Sequence, residues 1–169
     1  DCNVLVEAEA LIDDKKGRLP GTDGGAKMGK SLGNAIYLSE SEDDLRKKVF
    51  QMYTDPNHIR VEDPGQIEGN MVFTYLDMFG EDRVKIEELK AHYARGGLGD
   101  VLCKKYLFEI LNDFLEPMRK RRKEFEGDRG GVLELLLQGS AVAREEAENT
   151  LHEVKAAMGI DYNFLKERL

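Results

Sequence analysis

A glycine- and lysine-rich stretch at residues 21–34 constrains the fold of this sequence more than any other segment. It reads Gly-Thr-Asp-Gly-Gly-Ala-Lys-Met-Gly-Lys-Ser-Leu-Gly-Asn and has two lysines three positions apart. Glycine permits backbone angles that other residues avoid and leaves backbone N–H groups accessible. The stretch therefore predicts a loop. From residue 14 to 34, five basic and two acidic residues give a net charge of +3 in a chain of net charge −8.

The two lysines, Lys27 and Lys30, suggest a binding site for a polyanion. Two ammonium groups on a mobile loop can close on the phosphates of a nucleotide triphosphate and then release them. The alternative is a solvated surface loop without a ligand. The Walker pattern G-x-x-x-x-G-K-[ST] is absent, because the nearest match, at residues 25–31, is one residue short.

Beyond residue 39 the sequence has helical periodicity. Ser39 and Glu42 fit a capping box, and Leu45, Val49 and Met52 recur on one face of the helix that follows. Further helices are expected at 70–79, 82–94, 100–126 and 131–138, with a last one that Ser140 caps. We expect Asp100 to cap the fourth, Pro117 to kink it, and its buried side chains to be Leu107, Leu111, Phe114, Met118 and Phe125, broadened by Phe108 and Leu115. Glycines 96, 97 and 99 predict a turn between helices.

Composition bounds the class of protein. Of 169 residues, 41% are hydrophobic and 34% charged, which is typical of a soluble globular chain. The sequence has no run of 18 apolar residues, so no membrane span is expected. Cys2 and Cys103 are far apart and predict reduced thiols in a cytoplasmic protein, and the three histidines lack metal-binding spacing, so no metal site is expected. The first residues lack a signal-peptide pattern and an initiator methionine, as in a piece of a longer protein.

A series of short motifs carries a family resemblance. Residues 27–31, Lys-Met-Gly-Lys-Ser, resemble the KMSKS signature of class I aminoacyl-tRNA synthetases, with Gly29 in place of serine. The motifs around it resemble bacterial-type tryptophanyl-tRNA synthetases in the same order: LPGTDG at 19–24, LGNAIYL at 32–38, YTDP at 53–56, EGN at 68–70, GGLGD at 96–100 and FLEP at 114–117. The matches extend from about residue 4 to 158.

The resemblance implies a fold and an activity. It implies a mainly α chain from the C-terminal half of such an enzyme: residues 1–38 as the end of a Rossmann-like α/β catalytic domain, and residues 39–169 as a helical anticodon-binding domain. Within the first part, the apolar residues 4–6, Val-Leu-Val, themselves predict a short strand. The activity implied is activation of tryptophan with ATP, accompanied by Mg²⁺, and transfer to its tRNA by a homodimer. Lys30, and then Lys27, would bind the β- and γ-phosphates. The ATP-binding set would be Lys27, Met28, Gly29, Lys30 and Ser31.

The upstream ATP motif of the family has no counterpart, since no H-x-G-H occurs in the sequence. We therefore expect the isolated chain to be inactive. The alternative is a helical RNA-binding or protein-interaction module without catalysis. The candidate tRNA-binding residues are Tyr53, Asp55, Lys120, Arg121 and Arg122. Tyr53 could equally be buried, and Lys120 could form an ordinary surface pair with Glu116.

Overall fold

A computed structural model describes residues 4–12 and 18–160, and its regular structure is helical throughout. The elements are a short 3-10 helix at Lys30–Leu32, then α1 (Glu42–Phe50), α2 (Met71–Phe79), α3 (Arg83–Arg95), α4 (Asp100–Gly127) and α5 (Arg129–Ala157). This confirms the prediction of a mainly α chain. The described chain forms two compact units, one at Ile12–Lys123 and one made of residues 4–11 with 124–160.

The strand predicted at residues 4–6 is wrong. Residues 4–12 form no strand or helix, and Leu5 and Val6 are exposed. An isolated strand leaves its backbone N–H and C=O groups unpaired, and the described residues supply no second strand to pair with it. The expected α/β remnant is therefore not present in the described part of residues 1–38. Residues 18–38 belong to the same unit as α1, α2 and α3, and the domain boundary at residue 39 stays a prediction.

The core of the unit Ile12–Lys123 is built from the apolar faces of α1 to α4. Leu45, Val49 and Met52 are buried, as the periodicity predicts. The other helices contribute Val72, Phe73, Tyr75, Leu76, Ile86, Tyr93, Cys103, Leu107, Phe108, Leu111 and Leu115. Two predicted core residues of α4 are wrong, since Phe114 is 48% and Phe125 57% exposed. The buried stripe of α4 passes through Leu111 and Leu115 and leaves Phe114 beside it.

The start of α1 differs from the predicted capping box. Ser41, not Ser39, is the N-cap, and its Oγ accepts the backbone N–H of Asp44 at 3.1 Å. Glu40 is instead buried and pairs with Lys48, Oε1 to Nζ at 2.6 Å. The pattern of serine followed by acidic residues repeats at 39 and 41, so sequence alone does not separate the two registers.

The turn between α3 and α4 confirms the glycine prediction. Gly96 and Gly97 have φ angles of 86° and 99°, where side chains are strained. A Cβ on Gly96 would also lie 2.2 Å from the carbonyl oxygen of Glu62. These glycines therefore allow the preceding loop to pack directly on the turn.

Asp100 does not act as the predicted cap, because it is the first residue of α4 and its carboxylate has other partners. Its Oδ1 accepts the Tyr93 O–H at 2.8 Å, and its Oδ2 lies 3.4 Å from His58 Nδ1. Asn70 Nδ2 donates to the same tyrosine oxygen at 3.4 Å. Burial, and then Asp100, raises the pKa of Tyr93. This network joins α2, α3 and α4 to the loop that carries His58.

The second unit contains α5, which replaces two predicted helices. Asp128 caps it by accepting the N–H of Gly131 at 2.9 Å, and the helix continues through Gly139 and Ser140. The predicted break at Ser140 is wrong, because isolated glycine and serine residues lower helix stability without ending a helix flanked by strong helix formers. No residue of α5 is buried among the described parts of the chain. α4 likewise continues through Pro117, and the kink there stays a prediction.

No helix in residues 4–12 and 18–160 combines the length and the apolar character that crossing a bilayer requires.

We expect truncation of the core to separate clearly from truncation of the surface. Leu76→Ala should lower the free energy of unfolding by about 2–5 kcal/mol, because Leu76 is fully buried and alanine leaves a cavity. The control is Val84→Ala on α3, where the side chain is 71% exposed, and where we expect a change within about 0.5 kcal/mol. Denaturant unfolding of both variants measures the difference, and equal losses would contradict the assigned core.

Candidate functional site

The glycine- and lysine-rich stretch folds into a loop that the side chain of Asn34 closes. Asn34 is only 3% exposed. Its Oδ1 accepts the Gly29 N–H at 2.8 Å, and its Nδ2 donates to Asp23 Oδ1 at 2.9 Å and to the Lys27 carbonyl at 3.2 Å. Its own carbonyl accepts the N–H and the Oγ1–H of Thr22, at 3.0 and 3.2 Å. One buried amide thus joins the start, the middle and the end of the loop.

Asp23 and Gly21 complete this closure. Asp23 Oδ1 also accepts the Gly25 N–H at 2.9 Å, and the bonds from Gly25 and Asn34 lower the pKa of the Asp23 carboxyl. The Gly21 N–H donates to the Gly25 carbonyl at 2.9 Å. A Cβ on Gly21 would lie 2.1 Å from Asn34 Nδ2. Position 21 is therefore restricted to glycine by close packing.

The base of the loop is attached to the helical core. The Tyr75 hydroxyl of α2 donates to the Pro20 carbonyl at 2.6 Å, and the Tyr53 N–H donates to the Thr22 carbonyl at 2.9 Å. Met28 and Leu19 pack against the core, and their backbones are joined by a bond of 3.2 Å from the Met28 N–H. These contacts with the helical core thus hold the backbone that leads into the signature.

Lys27 and Lys30 are exposed at the rim of this loop. Neither ammonium group makes a hydrogen bond or an ion pair with any residue of the described ranges. The 3-10 helix Lys30–Leu32 ends at Gly33, which has a φ of 69°. Ser31 is also exposed. The loop therefore presents two unpaired cations and a hydroxyl to solvent on a backbone fixed at its base, which suits the binding of an anion.

Gly29, which replaces the usual serine, does not need to be glycine here. Its backbone is extended, with φ −156° and ψ 140°, and it is the N-cap of the 3-10 helix without a side-chain cap. A Cβ on Gly29 would meet Leu32 Cδ1 at 3.4 Å, close to ordinary van der Waals contact. A serine side chain therefore fits this position.

Tyr53 and Asp55, two of the predicted tRNA contacts, have structural partners. The Tyr53 ring packs beside Gly24, where an added Cβ would lie 3.2 Å from Tyr53 Cδ1, and the side chain is 45% exposed. The two Asp55 carboxylate oxygens accept the N–H groups of Asn57 at 2.9 Å and Gln66 at 2.8 Å. These bonds lower the pKa of Asp55. The structure brings Tyr53 to the signature loop, and their roles in tRNA binding stay predictions.

The other predicted tRNA contacts, Lys120, Arg121 and Arg122, are exposed on α4. Lys120 Nζ pairs with Glu116 Oε1 at 2.8 Å, so the alternative of an ordinary surface pair holds for this residue. Arg119 differs from its neighbours, since its guanidinium donates to Asn112 Oδ1 at 2.5 Å and to the Asn112 carbonyl at 3.2 Å. The Arg119 side chain therefore has an intramolecular structural role.

Sequence reasoning missed a second polar cluster behind the loop. Lys48 Nζ donates to Glu40 Oε1 and to the Ala35 carbonyl, both at 2.6 Å, and lies 4.5 Å from the centre of the Tyr37 ring. The cluster ties the end of the loop at Ala35 to α1. Glu40 belongs to an acidic run that predicts a helix start, so the sequence carries no sign of its burial. Within residues 4–12 and 18–160, no three His, Cys, Asp or Glu residues are grouped to hold a metal ion.

Restoring the serine should make the loop more ordered. We expect Gly29→Ser to stabilise the 3-10 helix by roughly 0.3 kcal/mol, because serine is a better N-cap than glycine. Slower tryptic cleavage after Lys27 and Lys30 would measure this. The matched control is Gly24→Ser in the same loop, where φ is 85° and the Tyr53 ring is close, so cleavage should accelerate. Faster cleavage of Gly29→Ser than of the parent chain would contradict the assigned geometry.

The hydrogen bond from the Tyr75 hydroxyl to the Pro20 carbonyl should contribute to the free energy of unfolding. Burial, helped by the charge of Asp23, raises the pKa of Tyr75 to about 12. Tyr75→Phe leaves the Pro20 carbonyl without its donor and should lower the free energy of unfolding by about 1 kcal/mol near neutral pH.

The same bond has a defined pH dependence. The raised pKa means that the folded chain holds this proton more tightly than the unfolded chain. The contribution is therefore complete below an ordinary tyrosine pKa of about 10 and is lost as the pH rises toward the folded value. Unfolding measured from pH 8 to 12 should show the parent chain losing its advantage over Tyr75→Phe above about pH 10. A constant difference across this range would contradict the assigned burial.

Comparison with known proteins identifies the family. The sequence profile described as "tRNA synthetases class I (W and Y)" matches residues 4–116. The tryptophan–tRNA ligase of Streptococcus pyogenes serotype M3 is 60% identical over 166 residues, which are 96% of this chain and 48% of that protein. The tryptophan–tRNA ligase of Clostridium longisporum is 60% identical over 160 residues, 94% of this chain and 47% of that protein.

A solved structure shows the same similarity in three dimensions. The tryptophanyl-tRNA synthetase of Campylobacter jejuni, complexed with ADP and tryptophan, matches with a TM-score of 0.72 and 30% identity over 89% of this chain and 46% of that one. The chain spans about half the length of the curated relatives it matches. The profile match and the identity to these relatives show that the chain belongs to the class I tRNA synthetases for tryptophan and tyrosine.

Proposed function

We propose that this chain is the part of a tryptophan–tRNA ligase that carries the signature loop. The observation that carries the proposal is a pair of exposed lysines, Lys27 and Lys30, with no side-chain partner in residues 4–12 and 18–160. They lie on a loop held at its base by Asn34 and Tyr75. Relatives that are 60% identical are named tryptophan–tRNA ligases, and this supports tryptophan rather than tyrosine as the substrate.

The chemistry proposed for the lysines is stabilisation of the leaving pyrophosphate. When the tryptophan carboxylate attacks the α-phosphorus of ATP, the bond to the bridging oxygen breaks and negative charge develops on the β- and γ-phosphates. Cations placed there bind the transition state more tightly than the ground state, which accelerates the step. Lys30 is proposed to contribute most to stabilising the β- and γ-phosphates, and Lys27 to contribute less.

Ser31 adds a hydroxyl to the proposed ATP-binding surface. The N–H groups of Met28 and Gly29, which the resemblance includes in this set, donate instead to the Leu19 carbonyl and to Asn34 Oδ1. Mg²⁺ accompanies ATP as part of the substrate.

The remaining parts of the active site are proposed to lie outside this chain. The family's H-x-G-H-type motif has no counterpart in the sequence, and we propose that the tryptophan pocket lies outside this chain as well. The isolated chain is therefore expected to be inactive in adenylate formation. The full-length enzyme is proposed to be a cytoplasmic homodimer in which residues 1–38 end the catalytic domain and residues 39–169 form the anticodon-binding domain.

A second function is tRNA binding by the helical part. Arg121 and Arg122 are exposed on α4 and follow Lys120 directly, so they give this turn of the helix a local excess of positive charge in a chain of net charge −8. This surface supports binding to the tRNA backbone, where cations release condensed counterions. Such binding does not need ATP chemistry and would also suit an RNA-binding module without catalysis.

Removing the signature lysines tests the first function. In the full-length enzyme, Lys30→Ala should reduce ATP–pyrophosphate exchange by about 10²–10³-fold, because one preorganised charge at the transition state is lost. Lys27→Ala should have a smaller effect in the same direction. The control is Lys47→Ala, an exposed lysine of α1, which should leave exchange unchanged.

The isolated 169-residue chain supplies the complementary measurement. We expect it to show no exchange above background. Normal exchange by the isolated chain, or an unimpaired Lys30→Ala enzyme, would contradict the proposal.

Removing the basic surface of α4 tests the second function. Replacing Lys120, Arg121 and Arg122 together by alanine should weaken tRNA binding by the 169-residue chain. Each lost phosphate contact should lower the slope of log affinity against log salt by about 0.7–0.9. The charge-matched control replaces Lys47, Lys105 and Lys155, which are exposed elsewhere. Equal effects of the two triple variants would show that binding depends only on net charge, and would contradict a tRNA-binding site on α4.

A further inference from the structure

Asn34 lies outside the five-residue signature but holds its backbone. We infer that Asn34 is a positioning residue for the proposed ATP chemistry, because it fixes the backbone that carries the two lysines and so sets where their ammonium groups meet the phosphates. This inference rests on the proposed function of Lys27 and Lys30.

The hydrogen bonds of the Asn34 amide hold the backbone on both sides of Met28, between the two lysines. Its oxygen accepts the Gly29 N–H at 2.8 Å, and its nitrogen donates to the Lys27 carbonyl at 3.2 Å. The second N–H of the nitrogen is used by Asp23 Oδ1 at 2.9 Å. Both donors and the acceptor of one side chain are thus satisfied, which is the condition under which a buried amide rigidifies its surroundings.

The two halves of the signature are held differently. Lys27 and Gly29 are tied to Asn34, whereas the 3-10 helix at Lys30–Leu32 is closed by its own backbone bonds, from Leu32 N–H to the Gly29 carbonyl and from Gly33 N–H to the Lys30 carbonyl, each 3.2 Å. Asn34 therefore fixes the point from which Lys30 extends.

Only an amide meets the demands of this position. An aspartate would lose both N–H donors and bring a second carboxylate to the place where Asn34 Nδ2 now lies, 2.9 Å from Asp23 Oδ1. Alanine would leave the Lys27 carbonyl and the Gly29 N–H without these partners. A longer amide would press on Gly21, since even a Cβ on Gly21 would lie 2.1 Å from Asn34 Nδ2.

The test is steady-state ATP–pyrophosphate exchange by the full-length enzyme. Asn34→Ala should lower kcat/KM for ATP by about 10–100-fold, because misplacing a catalytic group by about 1 Å has effects of this size. The KM for tryptophan should not change, since no tryptophan contact is involved. Asn149→Ala is the matched control, because it makes the same change at an exposed position of α5, outside the loop, and should leave exchange unchanged.

Double variants separate positioning from folding. If Asn34 acts through the lysines, adding Asn34→Ala to the Lys27→Ala, Lys30→Ala enzyme should cause little further loss. A purely structural role would lower the active fraction by the same factor in every background, and that result would overturn the inference. Should Asn34→Ala fail to fold by circular dichroism, the same cycle is run with Asn34→Ser, which retains a hydroxyl group.

Exchange by the single variants distinguishes the proposed function of the lysines from the positioning role of Asn34. Unimpaired exchange by Lys30→Ala would reject the proposed function itself. Impaired Lys30→Ala together with unimpaired Asn34→Ala would reject only the positioning role of Asn34.

Discussion

The buried amide of Asn34 is the interaction on which the candidate site depends. A loop with five glycines has a large entropic cost of ordering, and packing of its own small side chains offsets little of that cost. Three side-chain hydrogen bonds and two bonds to its carbonyl, all from a residue that is almost fully buried, fix the path of the loop instead. The exposed lysines at the rim are thereby carried on a defined backbone.

The helical core supports this loop through two tyrosines. Tyr75 projects from α2 to the Pro20 carbonyl, and Tyr53 binds Thr22 through its backbone N–H while its carbonyl accepts the Met71 N–H at 3.1 Å. The Lys48–Glu40 pair binds the other end of the loop at Ala35. The loop and the helices of Ile12–Lys123 therefore belong to one compact unit, and residues 18–38 are part of it rather than an independent segment.

The helices were predictable because their signal is periodic and repeated. Leu45, Val49 and Met52 recur at helical spacing, and the structure buries all three. Predictions that rested on a single residue did less well: Ser39 gave way to Ser41 as the cap, Asp100 is used by Tyr93 and His58, and Ser140 does not interrupt α5. Ser41 offers an equivalent cap two residues after Ser39, and tertiary partners bind the Asp100 carboxylate. At Ser140 the flanking helix formers outweigh the local break signal.

The site shows the same division. The sequence predicted that both lysines lie on one loop, because their motif is contiguous. It did not predict Asn34 as the residue that closes the loop, or the burial of Glu40, because those roles depend on which backbone groups the fold brings within reach. Tyr53 and Asp55 were assigned to RNA from their residue types, and the structure gives them partners in the loop and in the following turn.

The close approach at Gly21 has an evolutionary consequence. Because a Cβ there would overlap the Asn34 amide, positions 21 and 34 are epistatic: a side chain becomes tolerable at one only after the other has shrunk. Such a pair is expected to persist together through sequence divergence. Gly29, where a side chain fits, is free of this restriction, and drift at the third signature position can proceed while the rest of the loop stays unchanged.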